Sequence, residues 1–305
     1  MYSSPVVSGD TVYIGCKNGQ VYALDLADGR MKWSFQTKAN VEASVAVYAD
    51  TLYIGSWDGY VYAVDINTHQ MKWKFRTGGL VYSSPVIEGG VVYFGSKDKY
   101  VYAVDALSGV EKWRFDAKGE VYTSPAVDEK KLYLGTLNGS IRALDKKTGK
   151  QVWEYAIRHP VYSSPSLYNG YLFIGSDDKY MLSLNKETGK KKWRKKTAGK
   201  IFSSPAVYDG NVYFGSGDSY IYAYNIRTSG RAWEYQTEAP IFSSPVIASG
   251  TVYIGSTDGN LYAVSAGRGK VQWRYKTNSK LYSSPIVADS KVIFSTVDGQ
   301  VLAVH

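Results

Sequence analysis

A motif that returns every 40 residues, without an insertion or a deletion, constrains this chain more than any other feature. It reads VYSSPVI from residue 81, VYTSPAV from 121, VYSSPSL from 161, IFSSPAV from 201, IFSSPVI from 241 and LYSSPIV from 281. A degenerate copy, VEASVAV, starts at 41, and YSSPVV begins at residue 2. Self-similarity at such a period marks a repeat architecture. The copies occupy 1–40, 41–80, 81–120, 121–160, 161–200, 201–240, 241–280 and 281–305.

Each complete copy holds four short segments rich in β-branched and aromatic residues, separated by turn signals, which predicts four strands. In the third copy these are SSPVI, VVYFGS, YVYAVD and VEKWRFD. The first three are almost continuously apolar or small, as strands covered on both faces should be. The fourth alternates, and its pattern places Glu111, Trp113 and Phe115 on one side and Lys112 and Arg114 on the other. A lone sheet of this size buries too little apolar surface to offset its chain entropy, so neighbouring copies must cover one another. Radial stacking also disposes of exposed sheet edges. The expected fold is therefore all-β: an eight-bladed β-propeller of four-stranded antiparallel blades, a single domain over 1–305, its last blade lacking the outer strand.

Composition narrows the function classes. The formal charge is +9, yet Lys and Arg are spread along the whole chain, which suits an acidic partner and gives no focused nucleic-acid surface. Cys16 is the sole cysteine, so no internal disulfide and no cysteine-based zinc cluster can form. No apolar run approaches the roughly 20 residues that cross a bilayer, and a signal peptide is not recognisable at the N-terminus. Because Tyr2-Ser3-Ser4-Pro5 already lies inside a repeat, the chain reads as a mature form or as a domain of a longer protein. A monomer without membrane insertion is expected.

With the frame set, GSKDKYVYAVDALSGVEKW, residues 95–113, resembles the repeat of pyrroloquinoline-quinone-type propellers, in which a glycine-marked turn precedes a Trp that docks on the next blade. The resemblance spans the whole chain through Trp33, Trp73, Trp113, Trp153, Trp193, Trp233 and Trp273. It implies one of two functions. Catalytic members are dehydrogenases that hold the quinone and calcium at the ring centre and use an Asp base. Non-catalytic members include the outer-membrane assembly lipoprotein of Gram-negative bacteria and sensor propellers of some bacterial kinases. In size and plainness the chain is nearer the second group, which implies an extracytoplasmic setting, no enzyme activity and no cofactor.

The residues themselves point the same way. The seven docking tryptophans recur in every complete copy, as core contacts do. Asp25, Asp65, Asp105 and Asp145 precede a tight turn, where a carboxylate accepts backbone N–H groups. Asn185, Asn225 and Ser265 follow at the same position, which suits a turn cap and not a catalytic acid. The serine pairs, such as Ser83-Ser84 and Ser243-Ser244, are expected on the innermost strands with their hydroxyls satisfied in a watery channel. His69, His159 and His305 share no repeat position, so no pair has metal-ligand spacing. Glu42 is the one acid at the start of an inner strand, too few for a calcium site.

Sequence divergence marks a candidate contact surface. In a four-stranded meander, the turn between strands two and three shares one end with the crossover to the next blade. The first residue of that turn varies as Lys17, Trp57, Lys97, Leu137, Asp177, Gly217, Thr257 and Val297, and the crossovers include Arg158-His159-Pro160. Loop positions released from the structural pattern are where specificity can be written. Trp57 is the one Trp outside the docking register, and is expected exposed as an interface anchor. Tyr2, Tyr82, Tyr122, Tyr162, Phe202, Phe242 and Tyr282 share one position, from which only Glu42 departs. They form either an aromatic collar for a ligand or a buried ring between blades. The partner-binding set is Trp57, Glu42, Lys17, Lys97, Leu137, Asp177, Arg158 and His159, with a protein or peptide as partner. A carbohydrate module, a quinone-dependent dehydrogenase-like protein, and an engineered or recently amplified array without an evolved ligand are the alternatives.

Overall fold

The computed structural model describes residues 3–305, so Tyr2 of the aromatic series lies outside the described residues. The chain is an eight-bladed, all-β propeller. Seven four-stranded antiparallel sheets and one three-stranded sheet follow one another along the chain, with each strand pairing its sequence neighbour. The first blade contains β1 (Val6–Ser8), β2 (Thr11–Gly15), β3 (Gln20–Asp25) and β4 (Met31–Gln36). The last has only Ile286–Ala288, Lys291–Ser295 and Val301–Val304.

The blades fall into two compact units, divided between Arg158 and His159. Within each unit, the faces of adjacent blades make apolar clusters. Tyr13, Val21 and Ala23 pack on Leu52, Ile54 and Tyr62 in the first unit. Phe173, Met181 and Ile201 pack on Val212, Phe214 and Tyr222 in the second. The second and third strands of the second to seventh blades are buried almost throughout, which is why their sequences tolerate little polarity; the third strand is more open in the first and last blades.

The tryptophans dock as the repeat predicts. The indole N–H of Trp73 donates to the Ala106 carbonyl of the next blade at 3.0 Å, and those of Trp113, Trp193 and Trp233 repeat this on Lys146, Ile226 and Ala266. Gly109 receives the Trp73 ring: its φ is +72° and an added Cβ would lie 2.7 Å from Trp73 Cδ2. Where His69 takes that position, Trp33 stacks on its imidazole at 4.7 Å.

Two local expectations are corrected. The outer strand carries a β-bulge: Ala103 faces Trp113 but Val104 faces Glu111, leaving Lys112 as the extra residue. Glu111 therefore shares a side with Arg114, 3.5 Å away, and not with Trp113 and Phe115. The inner strands also start later than the SSP motif implies, at Val86 in the third blade. The first hydroxyl residue of each pair is buried, and in most blades it accepts the N–H that ends the second strand, as Ser203 does from Gly215 at 3.1 Å; the Ser83 hydroxyl is the exception, buried without a partner. The second serine links blades. Ser44 N–H donates to Ser84 Oγ and Ser84 N–H to Ser124 Oγ in the first unit; Ser164, Ser204, Ser244 and Ser284 repeat the chain in the second. Protein groups, and not channel water alone, satisfy most of these positions.

Candidate functional site

The turn between the second and third strands meets the preceding crossover loop, as the meander topology requires. Trp57 N–H donates to the Asn40 carbonyl, Lys97 N–H to Leu80 and Leu137 N–H to Glu120, each at 2.9 Å. In most blades the residue after the variable position completes the join. Asp58 Oδ2 accepts the Lys38 N–H at 2.9 Å and the Tyr62 hydroxyl at 2.7 Å; Asp98, Asp218 and Asp258 bind Tyr102, Tyr222 and Tyr262 likewise. These Asp–Tyr pairs were missed in the sequence, although the four-residue spacing in DGYVY and DKYVY was a visible signal.

Within the unit ending at Arg158, three half-buried rings lie in succession. The Trp57 ring centroid is 4.6 Å from that of Tyr82, and Tyr82 stacks on Tyr122 at 4.4 Å and 23°. Lys97 Nζ sits 5.6 Å from the Tyr122 centroid and 3.7 Å from Glu120, a cation–π geometry. Its hydrogen bond to Tyr122 raises the Lys97 pKa above the ordinary value. Burial raises that of Tyr82, and the charges of Tyr122 and Glu42 add to the rise.

Trp57 is half-buried, not the exposed anchor its turn position suggests, because Tyr82 covers one face. Its indole N–H is nonetheless buried without a hydrogen-bond partner. Glu42 Oε1 is buried in the same state; Lys17 Nζ lies 3.5 Å away, too long for a well-formed bond. Burial raises the Glu42 pKa and Lys17 only partly offsets it. Leu137 is half-buried and Arg158 exposed, with φ at +61°.

In the unit from His159, that histidine is exposed, and Asp177 Oδ2 pairs with Lys200 at 2.7 Å while Oδ1 is buried and unbonded. The aromatic series continues as Tyr162 on Phe202, Phe202 on Phe242 and Phe242 on Tyr282, with centroids 5.2–5.4 Å apart. These rings are half-buried and pack on each other, the first two contacts tilted and the last stacked. The turn acids act as caps: Asp65 Oδ1 accepts the Asn67 and Thr68 N–H groups, and Asn225 does the same for Arg227 and Thr228.

One ion pair was missed in the sequence. Buried Arg142 stands where most other blades carry Tyr and two carry Leu, donating to the Ala117 carbonyl at 2.6 Å and to the exposed Glu154 at 2.9 Å. Quinone and calcium, which the catalytic branch of the resemblance implies, do not fit these residues. Among the described residues no three His, Cys, Asp or Glu side chains converge.

The family model described as "Beta-alanine-activating enzyme, beta-propeller" matches residues 3–232. No curated protein sequence is significantly similar. Among solved structures, BamB from Moraxella catarrhalis is 18% identical, with 98% of this chain and 95% of that chain covered and a TM-score of 0.85. The computationally designed Ika8 protein is 16% identical over 99% and 96%, with a TM-score of 0.89. A europium-containing methanol dehydrogenase is 17% identical over 98% and 81%, with a TM-score of 0.82. At these identities the likeness is one of fold.

Proposed function

Since the chain belongs to the family described as "Beta-alanine-activating enzyme, beta-propeller", we propose that it works as a non-enzymatic binding scaffold, seating a protein segment on its loop-rich face. The observation that carries this reading is the Trp57–Tyr82–Tyr122 stack with Lys97 beside it. Aromatic anchors ringed by charge are the usual energetic centre of a protein interface. The buried indole N–H of Trp57 and the buried Oε1 of Glu42 are a donor and an acceptor that this face leaves unmet, at a cost of about 1–3 kcal/mol each. Lys17 and Lys97 favour an acidic segment.

Selection of a random peptide library against the protein tests this. Enriched peptides are expected to lose at least tenfold in affinity for the Trp57→Ser/Lys97→Ser variant, while its Tm stays within a few degrees of wild type. Peptides held equally by both proteins would refute the face assignment, and failure to enrich any peptide would refute the binding reading itself.

A further inference from the structure

At the opposite ends of the blades, where first strands turn into second and third into fourth, the fifth and sixth blades carry a distinct feature. A cavity of about 560 Å³ opens there within the unit from His159, a size typical of small-ligand sites, about 300–1,000 Å³. Its wall includes Tyr168, Asn169 and Tyr171 from one hairpin, Asp209 from the next, and Asn225 and Arg227 from the adjoining turn.

Departures from the repeat coincide with the opening. In the first blade, Lys32 on the outer strand spans this region, 2.8 Å from Asp10 and 3.1 Å from Asp25. Lys72 bridges Asp65 and Thr51 in the second blade, and Lys112 holds Asp105 in the third. The sixth blade has Ala232 at the lysine position and Asn225 at the carboxylate position, so neither half of the clamp exists. The hydroxyl that Tyr53 and Tyr213 send to the next blade's turn carbonyl is also missing, because the fifth blade has Phe173. In the space so released stands Tyr171, where the first, second and seventh blades have Thr11, Thr51 and Thr251. Its ring stacks on Phe173 at 5.9 Å, and Tyr168 beside it is 37% exposed.

From this geometry we infer that the cavity is a binding site for a short oligosaccharide. Two tyrosine rings offer flat apolar faces to the C–H face of a pyranose. Asp209 accepts from hydroxyls, Arg227 donates, and the amide of Asn169 does both. Asn225 spends its oxygen on the turn, which leaves its NH₂ as a donor. A ligand with many hydroxyls along one edge and an apolar ring face matches that set; a lipid chain leaves the polar groups unused, and a compact phosphate the tyrosines. The site is separate from the peptide face and does not depend on it.

A glycan array followed by calorimetry on the best neutral tri- and tetrasaccharides tests the inference. Wild type is expected to bind at least one with sub-millimolar Kd. Tyr171→Thr, which installs the residue three other blades already carry, is expected to weaken binding at least tenfold. Asn225→Asp/Ala232→Lys rebuilds the clamp of the first three blades and is expected to abolish binding with an unchanged or higher Tm. Trp57→Ser/Lys97→Ser is expected to bind like wild type. An array without a hit, or affinities unmoved by both cavity variants, overturns the assignment.

Discussion

Glu42 is the residue at which the series of collar rings is interrupted by a carboxylate, and its burial imposes a pH dependence. Burial holds its folded pKa above the ordinary value despite Lys17, so the protonated form is the one the fold favours. Stability from that preference is complete below the unfolded pKa, about 4.3, and is lost as pH rises through the folded value. Glu42→Gln should therefore raise Tm at pH 7, and the advantage should vanish near pH 4; an equal gain in melts at both pH values would contradict it. The turn acids run the other way. The hydrogen bond from Lys72, then the turn N–H groups, hold the Asp65 carboxyl below its usual range, and Lys112 does so for Asp105. Their contribution is present above the unfolded pKa and fades as pH falls. Trp113 is half-buried and bonded to Lys146, and Trp113→Ala should cost about 3–5 kcal/mol in denaturant unfolding.

The bulged outer strand and the turn before it form one device that hands an indole to the next blade. Its precision is written in Gly109, which combines a left-handed φ with direct contact to the Trp73 ring. Gly29 holds a similar φ of +74°, but an added Cβ there meets nothing within 4 Å. Gly29→Ala should cost only the left-handed penalty, about 1–2 kcal/mol. Gly109→Ala should cost about 1–3 kcal/mol more, because the methyl group displaces a packed ring. Equal losses in parallel unfolding curves would mean that the indole moves aside freely.

Charge belongs to the whole molecule. With a formal +9 and the lysines of the loop-rich face among its carriers, encounter with an acidic peptide should be steered. Stopped-flow association rates should fall several-fold between about 0.05 and 0.3 M salt, as the screening length shortens, while dissociation rates change little; a salt-independent association rate would exclude an acidic partner. Blade count, strand order, the docking register and the turn caps were all legible in the sequence, because each depends on spacing along the chain and recurs at 40-residue intervals. Residues such as Trp57 and Arg142 were not, because a residue that occurs once has its burial set by whatever neighbour the fold brings against it. Tyr82 covers Trp57, and Glu154 pairs Arg142. The sequence by itself determined the architecture, since sheets too small to persist alone must cover one another wherever the repeat places them. Which faces of the outer strand point where, which polar atoms are left without partners and where a cavity opens were settled only in the folded structure. Those outcomes depend on contacts between blades, and linear spacing carries no information about them.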